Sequence, residues 1–371
     1  MVRAKKDGLL IAGAGLAGCL VALAMAKLRP EVPILLVEEG ESFAAGRTWP
    51  FFEADLPPEQ RWLVERLIAA SWPGYYLLFP GHQRNIKAAM HLITGETLER
   101  AVREALRPEQ YRLGTKIVAV REDELVLLGG EKLKWSGAID ARGAANLSML
   151  RLGWRKFVSR QYRFEAPHKL DRPVLIDATV EQWDGCRFAV CLPLGEDRML
   201  VEDVHYAAGP VLDAEAAAAR INGYVMKRGW KPAEIERQSE GAIPVPFGGD
   251  FDAFWRVGGA RVAKLGLRGG FFHPVTGQSV ADAVRTALMV AEQREMDGAA
   301  LHDIAEEEAT RSWKAREFYR TVSERLIGGG PEGCRSALEA MYRLDPAIIA
   351  RFHGLKTGTI DRMRIKAALK G

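Results

Sequence analysis

The feature that most constrains this chain is Gly13-Ala14-Gly15-Leu16-Ala17-Gly18, set between an apolar run, Leu9 to Ala12, and a helix-like run, Leu16 to Leu28. Strand, glycine turn and helix in that order are what a dinucleotide-binding βαβ unit requires. Gly13 permits a tight turn and Gly15 lets a pyrophosphate approach the backbone. Gly18 allows close packing of a helix whose first turn, at Leu16 and Ala17, meets the phosphates. A second apolar run, Ile34 to Val37, ends at Glu38, twenty residues past Gly18. That carboxylate, with Glu39 beside it, is placed to accept from a ribose hydroxyl. Far downstream stands a second glycine-rich stretch, Gly266-Leu-Arg-Gly-Gly-Phe-Phe-His-Pro-Val-Thr-Gly277. Together the two loops suggest a flavoprotein.

At 371 residues, with 48% hydrophobic and 27% charged content, the chain can bury a sizeable core and has the length for two intimately packed domains. The uncharged run Gly8 to Ala26 follows Arg3, Lys5 and Lys6 and so mimics a signal peptide or a membrane helix. Its three glycines at dinucleotide spacing argue against both. Four cysteines, Cys19, Cys186, Cys191 and Cys334, form no C-x-x-C pair, and seven histidines are scattered. Neither a metal site nor a disulfide framework is indicated, and a reducing cytoplasm fits. The net charge of +4 hides an asymmetry: Arg311 to Gly371 holds thirteen Lys/Arg and six Asp/Glu, a local +7 that leaves −3 for the rest. A basic end with Trp313, Phe318 and Tyr319 among its charges suits an anionic membrane surface, and equally a solvated helical one. Nothing resembles a nucleic-acid-binding module.

The pattern predicts an α/β chain: a Rossmann-type FAD-binding domain with an inserted antiparallel β-sheet substrate domain and a helical C-terminal region. Residues 1–160 are the first part of the nucleotide domain, 161–254 the substrate domain, 255–300 the return segment and 301–371 the helical region. Pro57 to Ala70 and Glu96 to Leu106 read as helices around a loop rich in large rings, Trp72 to Pro80. Ile117–Val120, Leu125–Leu128 and Lys132–Trp135 read as a small antiparallel meander. A separate strand, Gly137–Ile139, then ends at Asp140, where an open α/β sheet presents ligand groups. Pro173–Ala178, Arg187–Leu192 and Arg198–Asp203 are spaced as consecutive strands. Ser279–Arg294 reads as a long helix, and Gly328-Gly-Gly-Pro331 breaks the helical tail.

The residues now in view, taken in order, resemble the bacterial lycopene β-cyclase family. The likeness runs nearly end to end: the nucleotide loop with Glu38, Arg47-Thr-Trp49, Trp72-Pro-Gly74, Asp140-Ala-Arg-Gly143, Gly153-Trp-Arg-Lys-Phe157, Pro173 to Val180, and Val201-Glu-Asp203 followed by Tyr206. Phe272-His-Pro274 with Thr276-Gly277, Phe318-Tyr-Arg320 and Met341-Tyr-Arg-Leu344 complete it. The resemblance implies a cyclase that closes the acyclic ends of lycopene into β-ionone rings, giving γ-carotene and β-carotene. It implies FAD in its reduced form, NAD(P)H as electron donor and no net redox change. It also implies a cytoplasmic protein held peripherally on the membrane, with other carotenoid enzymes as candidate partners. The cofactor contacts expected are Gly13, Gly15, Leu16, Ala17, Gly18, Glu38, Glu39, Arg47, Thr48, Arg100, Asp140, Gly266, His273, Pro274, Thr276 and Gly277. For Arg47 and Arg100 a surface ion pair is the alternative, and for His273 a backbone-bonded structural role. The chain departs from the pattern at Leu267, where the wider superfamily has Asp, at Arg47 for His, at Val275 for Thr and at Gln278 for Tyr.

Such a cyclisation needs an acid to protonate a terminal alkene, a dry pocket that tolerates a tertiary carbocation, and a base. A carboxylic acid serves only if burial or a nearby charge keeps it protonated. Glu202 and Asp203 are neighbours on an expected strand, so their side chains face opposite ways. Glu202 shares its face with Leu200 and Val204 and is the better candidate for a raised pKa, which matches the acidic motif of the family. Two solvated strand-edge acids are the ordinary alternative. The helix from Ser279 would aim its positive end at the flavin, and Trp49, Trp72, Tyr75 and Tyr76 are candidates for a π-lined wall around a cation, or plain core. Two rival readings share the nucleotide loop: an FAD-dependent monooxygenase or isoprenoid reductase, and a non-catalytic carotenoid-binding protein.

Overall fold

In the computed structural model, which describes residues 6–44, 46–183, 185–259 and 261–370, the apolar runs around the glycine turn build the first of three sheets. Lys6–Ala12 lies between Ile34–Val37 and Lys132–Asp140, parallel to both. The helix Leu16–Leu28 is apolar nearly all round and is therefore sandwiched rather than laid on the surface, against the helix Val280–Ala291. Lys132–Asp140 is one continuous strand, antiparallel to Glu124–Leu127 at its start and parallel to Lys6–Ala12 at its end. The expected separation of the meander from a strand at Gly137 is thus corrected. Gly137 marks a close approach, not a break, since a Cβ there would lie 2.4 Å from the carbonyl oxygen of Met296. Ala263–Lys264 joins this sheet beside Ile139 and Asp140, parallel to them.

The second sheet has seven strands in the order Pro232–Gly249, Leu150–Phe164, Arg198–Ala207, Cys186–Pro193, Val174–Asp177, Tyr75–Phe79 and His82–Ile86. Its neighbours are antiparallel except Val174–Asp177 beside Tyr75–Phe79. A division at residue 160 falls inside the strand Leu150–Phe164, so the sheet begins earlier than expected. It also recruits part of the ring-rich segment, where Tyr75, Leu77 and Phe79 alternate inward. The two longest strands escaped the hydrophobic pattern because they carry cross-strand polar ladders, with Arg163 bonded to Glu234 and Gln161 to Glu236, each at 2.6 Å.

A third, three-stranded sheet joins Thr48–Phe52, Met90–Thr94 and Ile68–Trp72. The helix expected over 57–70 shrinks to turns at Pro58–Gln60 and Trp62–Glu65, because Ile68–Trp72 finds a partner strand in Met90–Thr94. One face of the second sheet, with Val190, Leu200 and Val204, packs on the helices Glu317–Gly328 and Gly330–Tyr342, while Pro346–His353 and Thr359–Ala368 extend the same apolar cluster, the latter against Gly330–Tyr342. The other face, with Val158 and Val201, is covered by the helix Ala214–Lys227.

Candidate functional site

At the C-terminal ends of the parallel strands of the first sheet lies a cleft of about 430 Å³. The glycine turn forms its floor. Gly13 has φ +95°, and a Cβ on it would meet the backbone of Arg142 at 2.7 Å. Gly18 lets the helix lie so close that a Cβ would stand 2.0 Å from the Gly13 oxygen. Gly15 caps the helix with no side chain, and nothing lies within 4 Å of where its Cβ would point. That open room, in front of the unpaired N–H groups of a helix N-terminus, is a cradle for phosphate oxygens. At the rim the Glu38 carboxylate accepts from Ala14 N at 2.6 Å and from Gly40 N at 3.0 Å. Glu39 pairs with Lys116 at 2.9 Å.

Asp140 lies under this cleft rather than on its wall. Burial alone would raise its carboxyl, but Arg142 at 2.8 Å and Arg268 at 3.4 Å outweigh that and hold it below the usual carboxylate range. The two guanidiniums are thereby fixed at the cleft, where Arg47 adds a third positive charge. The donor set fits a pyrophosphate-bearing dinucleotide.

The second glycine-rich loop closes the cleft with Gly266 and Leu267, and Ser279 and Ala283 follow from the start of the next helix. His273 does not line it. Its Nδ1 accepts from Val275 N and Thr276 N at 3.1 and 3.2 Å, so its Nε2–H donates to the Phe352 oxygen at 3.0 Å. Burial pushes the imidazole down to about 3, which keeps it neutral. It braces the loop of Pro274, Thr276 and Gly277, none of which lines the cleft. The second sheet docks on the same loop: Tyr206 donates to the Val275 oxygen at 2.7 Å, and Ile243 packs 3.2 Å from where a Gly277 Cβ would be.

Glu202 and Asp203 lie on Arg198–Ala207 and face opposite ways, as strand alternation requires. Glu202 looks into the apolar core of Phe188, Val190 and Val204. Burial raises its carboxyl above the usual range, against the pull of Arg155, whose guanidinium is 3.6 Å away. Asp203 faces the other core. Its own burial is overcome by His205 at 3.1 Å, Arg187 at 2.5 Å and Arg220 at 2.8 Å, which hold it ionised and low. Glu202, Ser159 and Ser239 stand opposite one another on three adjacent strands, and Ser239 abuts Gly46, next to Arg47 of the cleft. The row leads from the acid to the cleft. The buried Ser159 hydroxyl, opposite Glu202 on the neighbouring strand, adds to Arg155 in drawing that carboxyl down.

Several expected contacts fall elsewhere. Arg100 is exposed on the helix Gly95–Ala105 among Glu96, Glu99 and Arg103, outside the cleft. Thr48 pairs with Thr94 at the start of its strand, and Gly18 sits behind the turn. Pro274 borders a small apolar pocket with Leu267, Phe272 and Trp313. The expected aromatic wall is dispersed: Trp49 lines the cleft, Trp72 and Tyr75 lie in the core beneath the second sheet, and Tyr76 bonds Asp171 on the opposite side. Conversely, Arg142, Arg155, Ser159 and Arg268 were not singled out from the sequence. The three arginines stand inside motifs already noted; Arg142 meets Asp140 two residues away, whereas Arg268 and Arg155 reach their acids only through tertiary packing, which the sequence pattern does not carry.

The chain matches the family model described as lycopene cyclase protein over residues 8–369. It is 34% identical over 358 residues to a lycopene beta-cyclase of Pseudescherichia vulneris, covering 96% of this chain and 92% of that protein. The lycopene beta-cyclases of Pantoea ananas and a Paracoccus species are 32% and 33% identical, each over 96% of this chain and over 93% and 92% of their own. Among solved structures, a geranylgeranyl bacteriochlorophyll reductase-like protein from Thermoplasma acidophilum has a TM-score of 0.59 at 13% identity, over 98% of this chain and 96% of its own. A flavin-dependent halogenase from Xanthomonas campestris has a TM-score of 0.60 at 14% identity, over 99% and 96%. The fold of this chain is similar to theirs. Agreement along almost the whole length, both with the family model and with relatives at about a third identity, means that this chain belongs to the lycopene cyclase family.

Proposed function

We propose that this enzyme holds FAD in the cleft and cyclises the acyclic ends of lycopene to β-ionone rings, with Glu202 as the protonating acid. The observation that carries the reading is the contrast between two adjacent carboxylates: Glu202 desolvated and pushed up, Asp203 clamped by His205 and two arginines and pushed down. Only the former can hold a proton to give. The Gly13–Gly18 turn and Arg142 with Arg268 would hold the pyrophosphate, Glu38 the ribose, and the loop around Thr276 and Gly277 the ring system. Reduced by a donor such as NAD(P)H, the flavin supplies an electron-rich surface near a cation and takes no net electrons from the substrate.

Glu202 protonates the terminal alkene, and the resulting tertiary cation is attacked by the neighbouring double bond to close the ring. Loss of a ring proton restores neutrality, and the Glu202 carboxylate, steadied by Arg155, is an available base. One proton enters and one leaves, so substrate and product are isomers. The apolar neighbours Phe188, Val190 and Val204 keep water from the acid.

The test compares β-carotene formed from lycopene by wild type and Glu202→Gln, each checked for flavin absorbance. Glutamine keeps size and hydrogen bonding but delivers no proton, so turnover should fall by ~10²–10⁴-fold with flavin retained. Near-normal turnover in Glu202→Gln would place the acid elsewhere. Net consumption of nicotinamide with each substrate molecule would favour the monooxygenase or reductase reading.

A further inference from the structure

The last helix, Thr359–Ala368, buries Ile365, and Leu369 just beyond it is buried too, yet it leaves Ile360 67% and Met363 65% exposed. Spaced three apart, these two side chains share one outward stripe with Ala367, also exposed. Arg364 lies on one side of that stripe and Lys366 and Lys370 on the other, all exposed. From Arg351 to Gly371 the chain has six Lys/Arg and one acid, Asp361. That acid is turned inward and bonded by both arms of Arg351 at 2.7 Å. The outward face is therefore apolar along its middle, basic at its edges and free of negative charge. A water-facing helix gains nothing from two exposed large apolar residues, whereas a helix lying in the interface of an anionic bilayer buries them and sets its lysines and arginines among lipid phosphates.

We propose that Thr359–Ala368 is the docking surface of this enzyme for an anionic membrane, lying flat with Ile360 and Met363 inserted. Among the described residues no helix is long and apolar enough to cross a bilayer, so contact through a face is the mode this fold offers. The position suits a bilayer-dissolved substrate, and in this respect the inference rests on the cyclase reading. Arg351 ties the docking helix to Pro346–His353, whose Pro346, Ala350 and His353 wall a half-open cavity of about 450 Å³ together with Phe52, Tyr75 and Ile86. Lys356, between the two helices, bonds the Ala54 oxygen at the same cavity.

Co-sedimentation with vesicles of phosphatidylcholine, alone or mixed with phosphatidylglycerol, tests the proposal. Wild type should sediment with the mixed vesicles and be released by salt. Ile360→Glu/Met363→Glu should weaken that association at least about tenfold. Arg364→Gln/Lys366→Gln/Lys370→Gln should weaken it and flatten its salt dependence. Leu128→Glu, at an exposed apolar residue of the first sheet's meander, should change nothing. Each variant is first shown to keep the wild-type urea midpoint. Unchanged binding by Ile360→Glu/Met363→Glu, or wild type left in the supernatant with mixed vesicles, overturns the proposal. Lycopene dispersed in detergent separates this from the catalytic reading. A variant that cyclises it but ignores vesicles supports docking, while a wild type that binds vesicles and forms no cyclic product leaves docking intact and removes the cyclase assignment.

Discussion

Two carboxylates one residue apart meet opposite fates because a strand sends them into different cores. Asp203→Asn leaves the buried Arg187 short of its counter-charge and should destabilise the fold by about 3 kcal/mol near neutral pH, read from urea unfolding. Asp203 is held low, so its stabilisation is present above the ordinary aspartate pKa and is lost as pH falls through the lowered value. The gap between wild type and Asp203→Asn should therefore close in acid. Glu202 runs the other way. Its folded-state pKa is raised, so the unfolded chain releases that proton first and stability declines as pH climbs from the ordinary glutamate value to the raised one. Glu202→Gln should gain on wild type across that window, while wild-type cyclisation should fade on its alkaline side. A flat stability difference for Glu202→Gln would mean that its carboxyl is ionised in the fold.

At the scale of elements, the strand Lys132–Asp140 joins a meander to a parallel sheet without interruption, and the glycine inside it is what lets the 296–298 turn pack against the strand. Gly137→Ala would push a methyl to 2.4 Å from the Met296 oxygen and 2.9 Å from the Leu301 Cδ1, and should cost about 1–3 kcal/mol. Gly223→Ala, on the helix Ala214–Lys227 with open space where its Cβ would go, should instead stabilise by about 0.5–1 kcal/mol. Urea midpoints at constant m-value decide both. Equal effects from the two would show that the close approach at Gly137 carries no weight.

For the molecule as a whole, the cleft and the acid belong to different sheets, and the loop around Val275 helps to couple them. Tyr206 fastens the second sheet to Val275 of that loop, inside the core. Tyr206→Phe leaves the Val275 oxygen unpaired and should lower stability by about 1–2 kcal/mol. Flavin affinity, followed by fluorescence titration, should fall with it, because the loop then loses its support from the sheet. Lowered stability with unchanged flavin affinity would show that the loop keeps its place without the Tyr206 bond.

The glycine spacing, the apolar runs and Glu38 made the nucleotide unit legible in the sequence, since each is a local pattern whose meaning needs no distant partner. The opposite facing of Glu202 and Asp203 was legible for the same reason, the two-residue period of a strand. Tertiary structure alone decided the rest. It turned the ring-rich segment at Tyr75–Phe79 into a strand of the second sheet, and it hid the charged strands Leu150–Phe164 and Pro232–Gly249 from a hydrophobic reading. It set Arg155 beside one acid and Arg187, Arg220 and His205 around the other, and it left Arg100 outside the cleft. Those outcomes depend on helix packing and on register between strands far apart in the chain. Register is an energy of pairing, absent from either strand read by itself.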